Sequence, residues 1–215
     1  MHLSRHRWLL WIVCLLCPSI LAAQRYTFRD YLDGLGNLDV DCLLQDHNGF
    51  LWVGTESGLF RYDGSRFQEF GRAEGLPGRW VRALAEDRAG RLWVGTPDGL
   101  AYESSLGRFE AVRFHSRNLQ IDYNSTLAAA PDGGILAVTQ FGLLVIRSGD
   151  AGKKWTAEQV LSPQGAAASS FGAVRSVASD GTRATFGCDQ SICRVEGESV
   201  VKWGLADGLP SDTWA

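Results

Sequence analysis

The sequence is poor in the residues from which catalytic and metal centres are usually built. It holds four histidines, five cysteines and one methionine. His47 and His115 each stand without a second His or Cys at zinc-ligand spacing, so both read as loop histidines. No Gly-x-Ser-x-Gly nucleophile turn occurs, nor any glycine-rich phosphate loop ahead of a helix. Asp46, Asp87 and Asp132 lack the alternating oxygen ligands of a calcium loop and read as turn formers. A basic excess is also missing. The formal net charge is −3, and it becomes −5 without residues 1–23, which carry two arginines and no acid. Nucleic acid is therefore not an expected partner. Beyond residue 23 no stretch has the length and apolarity of a membrane span.

The first residues read as an export signal. His2, Arg5, His6 and Arg7 give a positive start, and Trp8–Cys17 is an apolar core too short to span a bilayer. Pro18 ends it, and Leu21-Ala22-Ala23 offers a cleavage site. An uncleaved anchor or a lipoprotein is the alternative, but Val13 and Leu16 are bulky before Cys14 and Cys17. We take 1–23 as signal peptide and 24–215 as the folded part. An exported chain permits disulfides. Cys188 and Cys193 bracket Asp-Gln-Ser-Ile and are placed to face each other across a hairpin, bonded or free; Cys42 reads as a small buried hydrophobe.

What the sequence has in excess is glycine, 25 residues, and tryptophan, eight. A repeat accounts for both. Gly49-Phe-Leu-Trp-Val-Gly-Thr55 recurs as Gly90-Arg-Leu-Trp-Val-Gly-Thr96, with the tryptophans 41 residues apart. In the same register Asp46 maps to Asp87, Val40 to Val81, Gly58-Leu59 to Gly99-Leu100, and Asp33-Gly-Leu35 to Glu74-Gly-Leu76. A third copy starts at Asp132-Gly-Gly, with Leu136 for Trp and Val138 for Gly95. A fourth runs through Val174-Arg-Ser-Val177 and Ala184-Thr-Phe-Gly187, and Asp207-Gly-Leu-Pro210 echoes Glu74-Gly-Leu-Pro77.

Each unit reads as four short strands: in the first, Asp39–Gln45, Phe50–Gly54, Gly58–Tyr62 and Arg66–Phe70. Asp46-His-Asn-Gly49 and Asp63-Gly64 are turn chemistry. Leu51-Trp-Val53 is apolar at successive positions, as in a strand covered on both faces, and Gly54 and Gly95 predict a close backbone approach. Four strands per repeat of about 40–45 residues predict an all-β fold, a β-propeller of four-stranded antiparallel blades. The blades fall at about 33–73, 74–116, 117–165 and 166–206, with the start of another at 207–215. A blade needs neighbours to bury its faces, so the expectation is an incomplete ring, with further blades beyond Ala215.

The pattern Asp46-x-x-Gly49-x-Leu-Trp-Val-Gly-Thr-x-x-Gly58-Leu-Phe-Arg-Tyr-Asp-Gly64-x-x-Phe67, then Gly75-Leu-Pro77, resembles the two-component regulator propeller repeat. That resemblance is strong through Phe114 and loose after it. It implies the periplasmic sensor region of a receptor anchored in the inner membrane through a later segment. The output would be a histidine kinase, often hybrid, or a diguanylate cyclase, and the receptor a homodimer.

One face of such a ring collects the four-to-one and two-to-three connections. It would gather Arg72, Glu74, Arg79 and Trp80 with Thr139, Gln140 and Phe141, and Tyr123 where the third unit begins. Arg79, Trp80, Tyr123, Gln140 and Phe141 are the candidate ligand-binding residues, suited to a small polar solute or an oligosaccharide. Phe141 stands where the repeat has Asp98, a departure that packing does not require. Ser148-Gly-Asp150-Ala-Gly152-Lys-Lys-Trp155 fits the Asp-box of sialidase-like propellers, a turn staple that does no chemistry itself. Sequence thus favours an extracytoplasmic sensing or dimerisation module, with no catalytic residue and no cofactor. A secreted lyase or glycosidase and a scaffold without ligand are the competing readings, since paired carboxylates are a spatial feature.

Overall fold

A computed structural model describes residues 39–123, 126–149, 155–161, 174–188, 191–196 and 199–210. Residues 1–23, expected to be an export signal, Asp33-Gly-Leu35, residues 150–154 of the Asp-box and the last five residues lie outside the described residues.

The fold is all-β. Blade one contains β1 (Val40–Gln45), β2 (Leu51–Thr55), β3 (Leu59–Tyr62) and β4 (Phe67–Phe70). Blade two contains β5 (Ala83–Glu86), β6 (Leu92–Thr96), β7 (Gly99–Ser105) and β8 (Arg108–Phe114), extended by the two-residue β9 (Arg117–Asn118). Blade three has β10 (Leu127–Ala129), β11 (Ile135–Thr139), β12 (Gly142–Ser148) and β13 (Trp155–Leu161). Blade four has β14 (Val174–Ser179), β15 (Ala184–Cys188), β16 (Ser191–Glu196) and β17 (Ser199–Trp203). Each sheet is an antiparallel meander in chain order. The innermost strands meet in sequence: β1 contacts β5, β5 contacts β10, and β10 contacts β14.

The repeated residues each have a local task. Asp46 Oδ1 accepts from the backbone N–H of Asn48 and Phe50, and Oδ2 accepts from Trp52 Nε1 at 2.8 Å. Asp87 does the same for Ala89, Arg91 and Trp93, the last at 2.9 Å. One carboxylate therefore closes the first turn of the blade and satisfies an indole N–H that burial would otherwise strand. The threonine ending the second strand closes the next turn. Thr55 accepts from Gly58 N, Thr96 from Gly99 N and Thr139 from Phe141 N.

The glycines before those threonines mark where the crossover from one blade to the next returns. Val81 N donates to Thr55 O, and Ile121 N to Thr96 O. A Cβ on Gly54 would lie 2.4 Å from Cys42 Sγ and 2.7 Å from Val81 Cγ1. On Gly95 it would lie 2.9 Å from Ile121 Cγ2. The close approach expected from sequence is the neighbouring crossover.

Between blades the core is aromatic and aliphatic. At the first junction Trp52 lies 5.3 Å from Phe70 and edge-on to Phe109 of blade two at 6.5 Å. At the second, Trp93 meets Trp155 of blade three edge-on at 4.7 Å, and Tyr102 is 4.8 Å from Trp155. Arg91 stacks its guanidinium 4.7 Å from the Trp155 ring. Trp155, the last residue of the Asp-box, thus packs across the junction.

The third unit requires one correction. Its first turn is closed by Ala130 N to Gly134 O and Gly133 N to Ala130 O, the bonds that Asp87 N to Arg91 O and Gly90 N to Asp87 O make in blade two. Ala130, not Asp132, occupies the place of Asp46 and Asp87. Asp132 instead accepts from Arg147 Nε at 2.7 Å. With Leu136 in place of Trp there is no indole donor, and the carboxylate has lost its partner.

Candidate functional site: the channel mouth

The four innermost strands line a cavity of about 460 Å³, among its residues Asp41, Cys42, Ala83, Leu127, Val177 and Ala178. Burial pushes the Cys42 thiol up to about 12, so it stays protonated. At the crossover end of this cavity, two inner strands carry a bulge. Register shifts between Val40 and Cys42 in β1, and between Val174 and Ser176 in β14, so Asp41 and Arg175 occupy matching irregular positions. The pairing of Cys42 with Gly54 and of Ala83 with Gly95 places Arg82 at the same position of blade two.

These three charged residues hold two of the aromatics singled out from sequence. Trp80 Nε1 donates to Asp41 Oδ2 at 2.7 Å, and the Arg82 guanidinium lies over the Trp80 ring at 3.7 Å. Arg82 Nη1 reaches Asp122 O at 2.5 Å, while its Nε is buried with no hydrogen-bond partner among the described residues. Tyr123 is 51 % exposed, with the Arg175 guanidinium 5.8 Å from its ring. Asp41, Arg82 and Arg175 carry no local sequence signal, because a bulge leaves none.

The other candidates lie further out on the same face. Arg79 Nε donates to Ser57 O at 3.3 Å, anchoring the crossover to a turn of blade one. Arg72 pairs with Asp98 at 3.1 Å, both exposed. Glu74 caps its own short turn by accepting from Gly71 N at 2.7 Å. Gln140 joins blades two and three, donating to Asn118 O at 2.7 Å and accepting from Gln120 N at 2.8 Å.

Phe141 is half-buried and meets Phe114 edge-on at 5.4 Å, so packing does use its ring. His115 stacks on Phe114 at 4.0 Å and, with Ser116, forms a two-residue turn at φ +48° and +63°. Both residues adopt a left-handed conformation that Asn-Gly would take more readily. The structure thus brings Trp80 and Tyr123 to the mouth, Gln140 and Phe141 to a second cluster, and leaves Arg79 between blades one and two.

On the opposite face His47 clasps Glu86 across the first junction, with ring and backbone N–H both on the carboxylate. The Glu86 hydrogen bond raises the His47 pKa above its ordinary value. In blade four Cys188 stands where the other blades have the turn-closing threonine. Its Cα is 6.0 Å from that of Cys193, with the two sulfurs at bonding distance. No group of three or more His, Cys, Asp or Glu among the described residues is placed to hold a metal ion.

Four antiparallel meanders joined by crossovers and gathered on a shared cavity define a β-propeller. Within that class, residues 34–57 and 75–98 match the model of the two component regulator propeller family. The fold is similar to the extracellular domain assigned to a hybrid two component system of B. thetaiotaomicron (TM-score 0.61, 17 % identity, 81 % of this chain and 24 % of that one). It is also similar to a catalytically inactive virginiamycin B lyase from Staphylococcus aureus with quinupristin (TM-score 0.54, 14 % identity, 82 % and 59 %). A protein assigned as a gluconolactonase is a third (TM-score 0.55, 12 % identity, 76 % and 62 %). The chain thus spans from about a quarter to three fifths of the length of these structures. No curated protein matches it. No helix among the described residues is long and apolar enough to cross a membrane.

Proposed function

We propose that this propeller is the extracytoplasmic sensing part of a signalling receptor, and that it acts by binding rather than by catalysis. The observation that carries this reading is the pair of regulator-propeller repeats at 34–57 and 75–98. A ligand that prefers one of two receptor states would shift the output in proportion to that preference. The homodimer and the membrane-anchored kinase or cyclase output belong to the same proposal.

The channel mouth is the part we assign to the ligand. Tyr123 presents an exposed ring, Trp80 a ring with Arg82 over one face, and Arg175 a guanidinium near Tyr123. Ring faces next to fixed donors suit a polar, oxygen-rich solute such as an oligosaccharide. Thermal denaturation of the full chain with cello-, xylo- and malto-oligosaccharides tests this. A saturable rise in Tm that disappears in Trp80→Ala and Arg175→Gln supports the assignment. A flat response from the folded protein across a broad panel favours a scaffold. Cleavage of an added oligosaccharide favours the enzyme reading.

A further inference from the structure

The junction between blades three and four carries an open pocket of about 290 Å³. Its position is informative. In the first two junctions the equivalent space is occupied by the buried indoles of Trp52 and Trp93. Here β11 offers Leu136 instead, and the facing strand offers Ala184 where the register of the other blades places Leu92 and Ile135. Both walls have shrunk at the same place, and the indole's carboxylate acceptor is Ala130.

The pocket walls are Leu136, Leu143, Val145 and Val160 from blade three and Ala184 and Phe186 from blade four. The rim carries the guanidinium groups of Arg147, Arg183 and Arg194 and the carboxylate of Asp132, with Glu158 on Arg147 and Asp180 beside Arg183. Arg147 is engaged by Asp132 and by Glu158. Arg194 lies 4.9 Å from the Trp203 ring. Arg183 is exposed on the rim.

We infer that this junction is a binding site for a compact aromatic carboxylate. An apolar pocket left by the loss of a large side chain takes a ring of about the missing size. A volume near the lower limit of small-molecule sites restricts the ligand to one or two rings. Arg183, exposed on the rim, is the group that holds an acidic substituent on that ring. Turns Pro131-Asp132 and Thr182-Arg183 form the rim, on the face away from the crossovers, so the site is independent of the sensing role assigned to the channel mouth.

Indole and indole-3-acetate are the probes, followed on the full chain by ligand-observed NMR and by Tm. Indole-3-acetate should bind saturably and raise Tm. Arg183→Gln should weaken it about tenfold, the loss of one charge-assisted contact. The pair Leu136→Trp with Ala130→Asp refills the void and supplies the acceptor, and should abolish binding. Should that pair fail to fold, Ala184→Leu narrows the same space from the other wall. Three results each overturn the inference: no saturable binding to the folded wild type, undiminished binding to a folded filled variant, or equal affinity for indole and its acid.

Discussion

The second and third blade junctions share a strand frame and differ in what fills it. Between blades two and three a fully buried Trp93 rests on Trp155 and Tyr102, with its N–H on Asp87. Between blades three and four the same positions are Leu136 and Ala130, and an open pocket remains. The residues change as a set, because an indole needs an acceptor and an acceptor without an indole is a buried charge with nothing to serve. The indole and its acceptor are a unit of chemistry, and they are lost together.

Replacing the two fillers should break the comparison most visibly. Trp93→Ala should cost about 3–5 kcal/mol in urea denaturation, whereas Leu136→Ala, already beside a void, should cost about 2 kcal/mol. Equal losses would mean that the indole is not what seals the second junction. Next comes its acceptor. Asp87→Ala leaves a buried N–H and two turn N–H groups without a partner, for about 2–3 kcal/mol. Asp132→Ala should cost less than half of that, since its bond to Arg147 is exposed.

Blade four offers a covalent contrast. We expect Cys188 and Cys193 to be bonded under oxidising conditions, and Cys193→Ser to lose about 2 kcal/mol for a loop this short. A variant as stable as the wild type would show that the bond carries nothing. Of similar or smaller size, Gly95→Ala should destabilise by about 1–2 kcal/mol because Ile121 has to give way. Val138, which occupies that position in blade three, should tolerate alanine better.

The smallest effect separates the outer faces by pH. Glu86 raises the His47 pKa above 6.5, so the folded chain holds that proton more tightly than the unfolded one. The clasp therefore contributes fully below about pH 6.5 and fades as pH rises through the raised value. The stability gap between wild type and His47→Gln should shrink as pH rises above about 6.5. A gap that is constant or widens would contradict the clasp.

Much of this was legible in the residues. Asp46, Trp52, Gly54 and Thr55 form a readable repeat because each makes its own contact, so each recurs in blade two. Blade three kept only Thr139 of that set, beside the turn glycine Gly133, which is why Asp132 reads as the turn aspartate when Ala130 holds the place. Phe141 reads as surplus because the ring it packs on, Phe114, belongs to the preceding blade. The bulges at Asp41 and Arg175 leave no local mark, since an extra residue in a strand shows only against its partner. Trp80 and Tyr123 could therefore be named from sequence, but not the charged groups that hold them.

Indole–carboxylate pairs, Trp52 with Asp46 and Trp93 with Asp87, seal blade to blade at the first two junctions. Native-state amide exchange tests it on the unaltered chain. Protection should be highest in β6, β7 and β12, flanking Trp93, and the strands of blade four should open first and separately. Uniform protection of all four blades, or opening of β6 before β15, would contradict it.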